Sequence, residues 1–340
     1  MLHERRLIAW GALALAAAFP AACESGKSGP SGNAAGFIGS ADAGAGGVDA
    51  AGAGGDGAQP MMVSMPEGGP GPGSGPPCNS DPRLCSKAFS AVTFLGTHLS
   101  MANDDTWPSP TQGRTLREQL LSGGVRALEL QVHDDQGALA ACAGDCSVAS
   151  TSLSSVLRDI STFLTQNPTD VLTLVLRSAV ASAALAQAFE DQALVPLAHT
   201  QMPGKPWPTL RQMIDDNQRL VVFVAPVPSD ADAGAGAGPS APPGWLHPLS
   251  DWAWETAPSE AVNCVIASGN AKSPLAILNQ YSAGEASADA ALIAAHAPEV
   301  VAARLNRCKD DRGHTPNIVF VNFAEVGDPN GGVQIANGLR

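Results

Sequence analysis

Apolar residues recur along this chain in two rhythms. Short runs rich in Val, Leu, Ile and Phe read as strands at residues 91–97, 126–132, 170–176, 219–225, 274–279 and 317–325. Between and after them, apolar positions fall at helical spacing over 115–122, 153–166, 183–194, 209–216 and 286–307, with a short helix at the C-terminus. Asn167-Pro168 stops the second of these helices, because the residue ahead of a proline is driven out of helical geometry. The run DVLTLVL at 170–176 is nearly continuous in apolar character, as a parallel strand covered on both faces should be. Strand and helix thus alternate over most of residues 78–340, which predicts an α/β fold, either a barrel or a doubly wound sheet.

Three stretches fall outside this pattern. Residues 24–77 are mostly Gly, Ala, Ser and Pro without hydrophobic period, so they bury too little to offset ordering and are expected to form a disordered tether. The low-complexity tract at 229–244 follows the 219–225 strand and reads as a loop insertion at its C-terminal end. At the N-terminus, Arg5 and Arg6 precede an apolar run over 7–19 that is short for a membrane span and reads as a targeting segment. It leads into Pro20-Ala21-Ala22-Cys23, small residues before a cysteine that resemble a bacterial lipoprotein processing site. The expected organisation is a signal segment over 1–22, a tether over 23–77 beginning at lipidated Cys23, and a folded domain over 78–340. Export to the bacterial cell envelope follows from this reading, with a soluble secreted protein as the alternative.

The formal net charge of −13 argues against nucleic acid as a partner, which needs a basic surface to displace counterions. It also offers no general attraction to anionic lipid, so membrane contact is expected through Cys23. The chain has seven cysteines, an odd number for an exported protein. With Cys23 lipidated, proximity favours Cys78–Cys85 and Cys142–Cys146, leaving Cys264–Cys308. Their spacings lack paired C-x-x-C, so disulfides are expected rather than zinc.

The first strand ends in Gly96-Thr97-His98, a histidine just past a strand end, where the loops of an α/β barrel converge. This segment resembles the first active-site strand of the phosphatidylinositol-specific phospholipase C family, in which Gly-Thr-His is followed by Asn or Asp. The resemblance continues through GGVRALEL at 123–130, the Cys-x-Gly-x-Cys turn at 142–146 and NPTDVLTLVLR at 167–177. PWPTLRQMI at 206–214, WxWET at 252–256, ILNQ at 277–280 and PNIVFVNF at 316–323 extend it. In this order the pieces resemble a secreted bacterial member of the phospholipase C X-domain superfamily, and the resemblance implies an irregular TIM-type barrel.

It also implies a chemistry. In the family, a substrate hydroxyl attacks a phosphodiester, which requires a base, an acid for the leaving alcohol, and positive charge at the phosphoryl oxygens from Arg or Ca²⁺. His98 matches the base and Glu129 the acidic residue of the second strand. Elsewhere the match fails: Leu99 replaces the Asn or Asp after His98, and Ala143 stands where the second histidine belongs. Gln131 replaces the Arg or metal-binding Asp, and Asn322 replaces the acid that steadies the base. Loss of a general acid typically costs about 10²–10⁴ in rate, so impaired catalysis is expected. Alternate residues of a strand share a face, so His133, in line with Glu129 and Gln131, is a candidate replacement acid. Arg177, at the end of VLTLVLR, is a candidate phosphate ligand. The expected site therefore comprises His98, Glu129 and His133 in catalysis and Gln131, Arg177 and Asn322 in substrate contact. Trp207, Trp245, Trp252 and Trp254 are candidates to line the mouth, with Trp207 reading better as core. Asp134, Asp135 and Asp145 show no calcium-loop pattern, and no cofactor is expected. The implied function is a phosphoric diester hydrolase acting on phospholipid head groups, catalytically impaired. The alternative is a non-catalytic, lipid-anchored envelope protein that binds a phosphoinositol- or sugar-like ligand.

Overall fold

The computed structural model describes residues 75–227, 242–282, 284 and 290–340. Within them, β1 (Phe94–Thr97) leads through α1 (Leu116–Ser122) to β2 (Ala127–Asp135), which folds back as two short strands, β3 (Ala138–Ala141) and β4 (Thr151–Ser152). Next come α2 (Leu153–Gln166), β5 (Leu172–Ser178), α3 (Ser182–Asp191), α4 (Leu210–Asp215) and β6 (Leu220–Ala225). They are followed by β7 (Leu246–Pro248), α5 (Leu249–Trp252), β8 (Ala253–Thr256), β9 (Ile266–Gly269) and β10 (Leu275–Asn279). The chain ends with α6 (Ala290–Ala295), α7 (Pro298–Arg312), β11 (Ile318–Val321) and α8 (Pro329–Ala336).

The strands form one curled sheet in the order β7-β6-β5-β2-β1-β11-β10-β8-β9. Every pairing from β7 to β8 along this path is parallel, whereas β9 and the β3–β4 flap are antiparallel additions. Among the described residues β7 and β9 do not pair, so the sheet is a half-barrel without hydrogen-bonded closure. The α/β barrel expectation holds in that form. One consequence decides the position of the site: the C-terminal ends of eight parallel strands share one rim.

Strand alternation sorts the side chains into two cores. Leu95, Leu128, Leu174, Val222 and Val319 point outward into the helix-covered layer. Phe94, Ala127, Val175, Phe223, Ile277 and Phe320 point inward and fill the barrel floor. Gly96 belongs to the inner face because a Cβ there would lie 2.7 Å from the Phe320 ring. Two residues beyond inward Ala127, Val175, Ala253, Ile277 and Phe320, the positions turn polar, as Glu129, Arg177, Glu255, Asn279 and Asn322.

All six predicted strands are present. The missed strands β3, β4, β7, β8 and β9 are each too short to establish a period. The predicted helix over 286–307 is corrected to α6 and α7, since Pro298 begins a new helix; residues 286–289 lie outside the described residues. The strand predicted to reach residue 325 ends at Val321, and Phe323 adopts a left-handed φ of 45°. Disulfides join Cys78–Cys85, Cys142–Cys146 and Cys264–Cys308, the pairing that proximity favours. The signal segment, Cys23, the tether up to residue 74 and the insertion up to residue 241 lie outside the described residues.

Three histidines in the walls make stability depend on pH. Burial lowers the pKa of His247, His296 and His314 below the ordinary 6.5, although each gains a backbone hydrogen bond that opposes this. The unfolded chain therefore binds protons that the folded chain resists. Their stabilising contribution is full above about pH 6.5 and is lost as the pH falls through and below that value. Thermal unfolding followed from pH 8 to pH 5 should show a plateau, then a decline beginning near 6.5. A midpoint rising on acidification would contradict this.

Candidate functional site

His98 follows β1 directly, and its backbone is fixed before its side chain is considered. The His98 amide donates to the Val321 carbonyl at 3.0 Å. The Gln112 side-chain amide donates to the carbonyls of His98 and Val321 at 2.9 and 3.1 Å. Ser100 ties the same loop to β2: its amide donates to the Glu129 carbonyl at 2.8 Å, and its Oγ accepts from the Glu129 amide at 3.1 Å. Leu99 lies between these anchors with φ 43°, a left-handed conformation that Asn and Asp adopt readily and that costs other L-residues about 1–2 kcal/mol. The backbone at 99 thus retains a shape suited to the residue types it lacks.

The imidazole has three neighbours. Asn322 Nδ2 donates to the Ser282 carbonyl at 3.4 Å, which turns its Oδ1 toward His98 Nδ1 at 2.9 Å. Nδ1 must then carry the proton, and in the neutral ring Nε2 is an acceptor. Nε2 lies 3.6 Å from Glu129 Oε1. Tyr281, the only tyrosine of the chain, stacks on the ring with centroids 3.9 Å apart and planes 9° from parallel.

Beyond Glu129, a charged chain crosses the mouth. Arg177 Nε donates to Glu129 Oε2 at 3.0 Å, and Nη2 approaches the same oxygen at 2.9 Å. On its other side, Arg177 grips Glu255 in a two-pronged pair, through Nη1 to Oε2 at 3.1 Å and through Nη2 to Oε1. Ser268 Oγ also donates to Glu255, at 3.0 Å. Burial alone would weaken the guanidinium charge, but the two carboxylates more than offset this and hold its pKa above the usual arginine value. These groups line a cavity of about 410 Å³ together with Leu99, Gln131, Asn279 and Tyr281.

The expected site residues fare differently. His98, Glu129, Gln131 and Arg177 line the cavity, and Asn322 holds His98 from behind. Gln131 accepts from the Gly144 amide at 2.9 Å and so supports the disulfide-closed turn that carries exposed Ala143. His133 is not among the lining residues: β2 has by then turned into its hairpin, His133 pairs with Ala140, and its Nε2 is buried without a protein partner. Its expected place at the mouth is therefore corrected. Trp207, Trp245 and Trp254 are buried core, and Trp252 packs edge-on against Trp207 rather than lining the mouth. Sequence reasoning missed Glu255, Asn279 and Tyr281. The available signals were the WxWET run, the end of ILNQ and the uniqueness of the tyrosine.

Residues 84–233 match the model of the family described as PI-PLC X 1. This part of the chain, less than half of it, is similar to a PI-PLC X domain. A PI-PLC X domain-containing protein of Arabidopsis thaliana is 30% identical over 155 residues, covering 40% of this chain and 36% of the relative. A PI-PLC X domain-containing protein of Arthroderma benhamiae is 29% identical over 157 residues, covering 43% and 50%. An uncharacterized secreted protein of the same fungus is 24% identical over 170 residues, covering 46% and 36%. The chain thus spans half or less of the length of these curated relatives. A phosphatidylinositol-specific phospholipase C of Staphylococcus aureus aligns over 75% of this chain and 95% of its own at 11% identity, with a TM-score of 0.47.

Some members of the PI-PLC X superfamily use calcium at the mouth. The residues here do not suit that ion. Leu99 and Gln131 offer no carboxylate, and the guanidinium of Arg177 already lies between Glu129 and Glu255.

Proposed function

We propose that this chain is an exported PI-PLC X-type protein whose mouth binds a phosphoinositol- or sugar-like head group without cleaving a phosphodiester. One observation carries this reading: among the described residues His98 is the only imidazole lining the mouth, and the turn where a second would stand presents Ala143. Attack on phosphorus needs a proton acceptor and a separate donor for the leaving alcohol. Nε2 of His98 can accept a proton. No second imidazole is placed to supply one, and the Arg177 nitrogens that would meet phosphoryl oxygens are turned into Glu129 and Glu255. Lipidation at Cys23 and attachment to the envelope belong to the same proposal, and the secreted fungal relative supports export.

A ligand selective for the folded state stabilises it by about 2.7 kcal/mol at a hundredfold excess over its Kd. For a domain of this size, that is a rise of about 5–10 °C in unfolding midpoint. The full chain should show such a rise with myo-inositol or myo-inositol 1-phosphate, and His98→Ala should reduce it. No shift with either compound would contradict the reading.

A further inference from the structure

We propose that α7 carries a redox-set latch for one wall of the mouth. With Cys264–Cys308 oxidised, residues 257–266 are seated on α7; with it reduced, they lift away from the mouth. The latch holds whether the mouth binds or cleaves.

The wall in question is the hairpin from β8 to β9. Thr256, Pro258, Ala267 and Ser268 line the cavity, so the connection between the two strands forms its edge. Three residues of α7 hold that connection. Arg304, Cys308 and Arg312 are four apart, which puts them in one row along the helix. Arg304 is fully buried, and its Nε donates to the Asn263 carbonyl at 3.3 Å. Its Nη1 donates to the Ser259 carbonyl, to the Asn279 carbonyl at 3.2 Å and to Gln280 Oε1 at 2.7 Å. One turn on, Cys308 is bonded to Cys264. At the end of the helix, Arg312 Nη2 donates to the Cys264 carbonyl at 3.1 Å.

The members of this row are unequal. Of residues 257–265 only Cys264 is buried, while Val262 and Val265 are 52% and 61% exposed. The segment therefore brings no other side chain to the core, and little apolar burial holds it down. Its polar contacts favour release as much as seating. Every hydrogen bond of Arg304 goes to a carbonyl-type oxygen, and its buried Nη2 has no partner. Burial lowers its pKa to about 10, with only Glu260 opposing. Lifting the segment lets water reach that charge, which a buried guanidinium without a hydrogen-bonded carboxylate favours. The disulfide, which joins residues 44 positions apart, is thus what fixes the wall.

Reduction by a dithiol breaks the S–S bond with two electrons. Both sulfurs take up a proton as thiols, and the dithiol closes to its own disulfide. Disulfides persist in oxidising compartments and are rare in the cytosol, so the wall is seated only where the chain meets oxidising conditions.

Hydrogen exchange read by mass spectrometry on the full chain tests this, with the parent compared with Cys264→Ala/Cys308→Ala. Peptides covering 257–266 should exchange at least about tenfold faster in the variant, while β1, β2 and β5 keep the parent's protection. Cys78→Ala/Cys85→Ala, which removes a disulfide of the barrel floor, should leave 257–266 at the parent's rate until dithiothreitol is added. Where the first variant does not fold, parent reduced by dithiothreitol and blocked with iodoacetamide gives the same comparison. Unchanged exchange over 257–266, in the folded variant or in parent alkylated at both sulfurs, would overturn the latch. Acceleration spread evenly over the barrel would overturn it too, because the disulfide would then hold the fold rather than the wall.

Discussion

Replacing Arg177 by glutamine should lower the unfolding midpoint by about 6–20 °C. The guanidinium, Glu129 and Glu255 are each about nine-tenths buried or more, so their contacts are little screened by solvent. Removing one member of a buried ionic network leaves the others uncompensated, at about 3–5 kcal/mol. A domain of this size loses about 2–4 °C per kcal/mol, which gives the expected range. Neutralising all three groups together, as Glu129→Gln, Arg177→Met and Glu255→Gln, should recover much of the loss, because buried ion pairs owe little of their value to net stabilisation. Circular dichroism during heating reads both outcomes. An Arg177→Gln midpoint within about 2 °C of the parent would mean that the three residues do not form a buried network.

If the mouth binds without reacting, as proposed, restoring the missing groups should produce activity that the parent lacks. Ala143→His returns a proton donor on the turn that the Cys142–Cys146 disulfide closes. Gln131→Arg adds a guanidinium on the lining of the mouth, without a carboxylate already paired to it. A general acid contributes about 10²–10⁴ and a charge-stabilising donor about 10²–10³, although groups acting as a unit do not multiply freely. The double variant should therefore cleave phosphatidylinositol at least about 10²-fold faster than the parent, and His98→Ala should abolish the gain. A silent double variant that still folds would show that the impairment lies elsewhere than at these two positions.

Much of this site was legible in the sequence because it sits on strands. Gly96-Thr97-His98 marks a strand end, and alternation along 126–132 correctly gave Glu129 and Gln131 one face. The same alternation placed His133 with them and failed there, because β2 leaves the barrel wall for a hairpin that the short β3 and β4 did not announce. Glu255 was hidden for a related reason. Its strand is four residues long, and its partnership with Arg177 spans 78 positions of sequence. Tyr281 and Asn279 acquire meaning only when β10 and β1 end on the same rim. Local pattern therefore gave six of the eleven strands and half of the mouth. The charge bookkeeping on which the binding proposal rests depends on contacts between distant strands.

That bookkeeping meets its most direct test in one assay. Purified full-length protein can be incubated with phosphatidylinositol vesicles and followed by phosphorus NMR for release of cyclic or open inositol phosphate. The expected trace stays unchanged over hours, in the parent and in His98→Ala alike. Steady product formation by the parent that disappears in His98→Ala would contradict a mouth that binds without reacting.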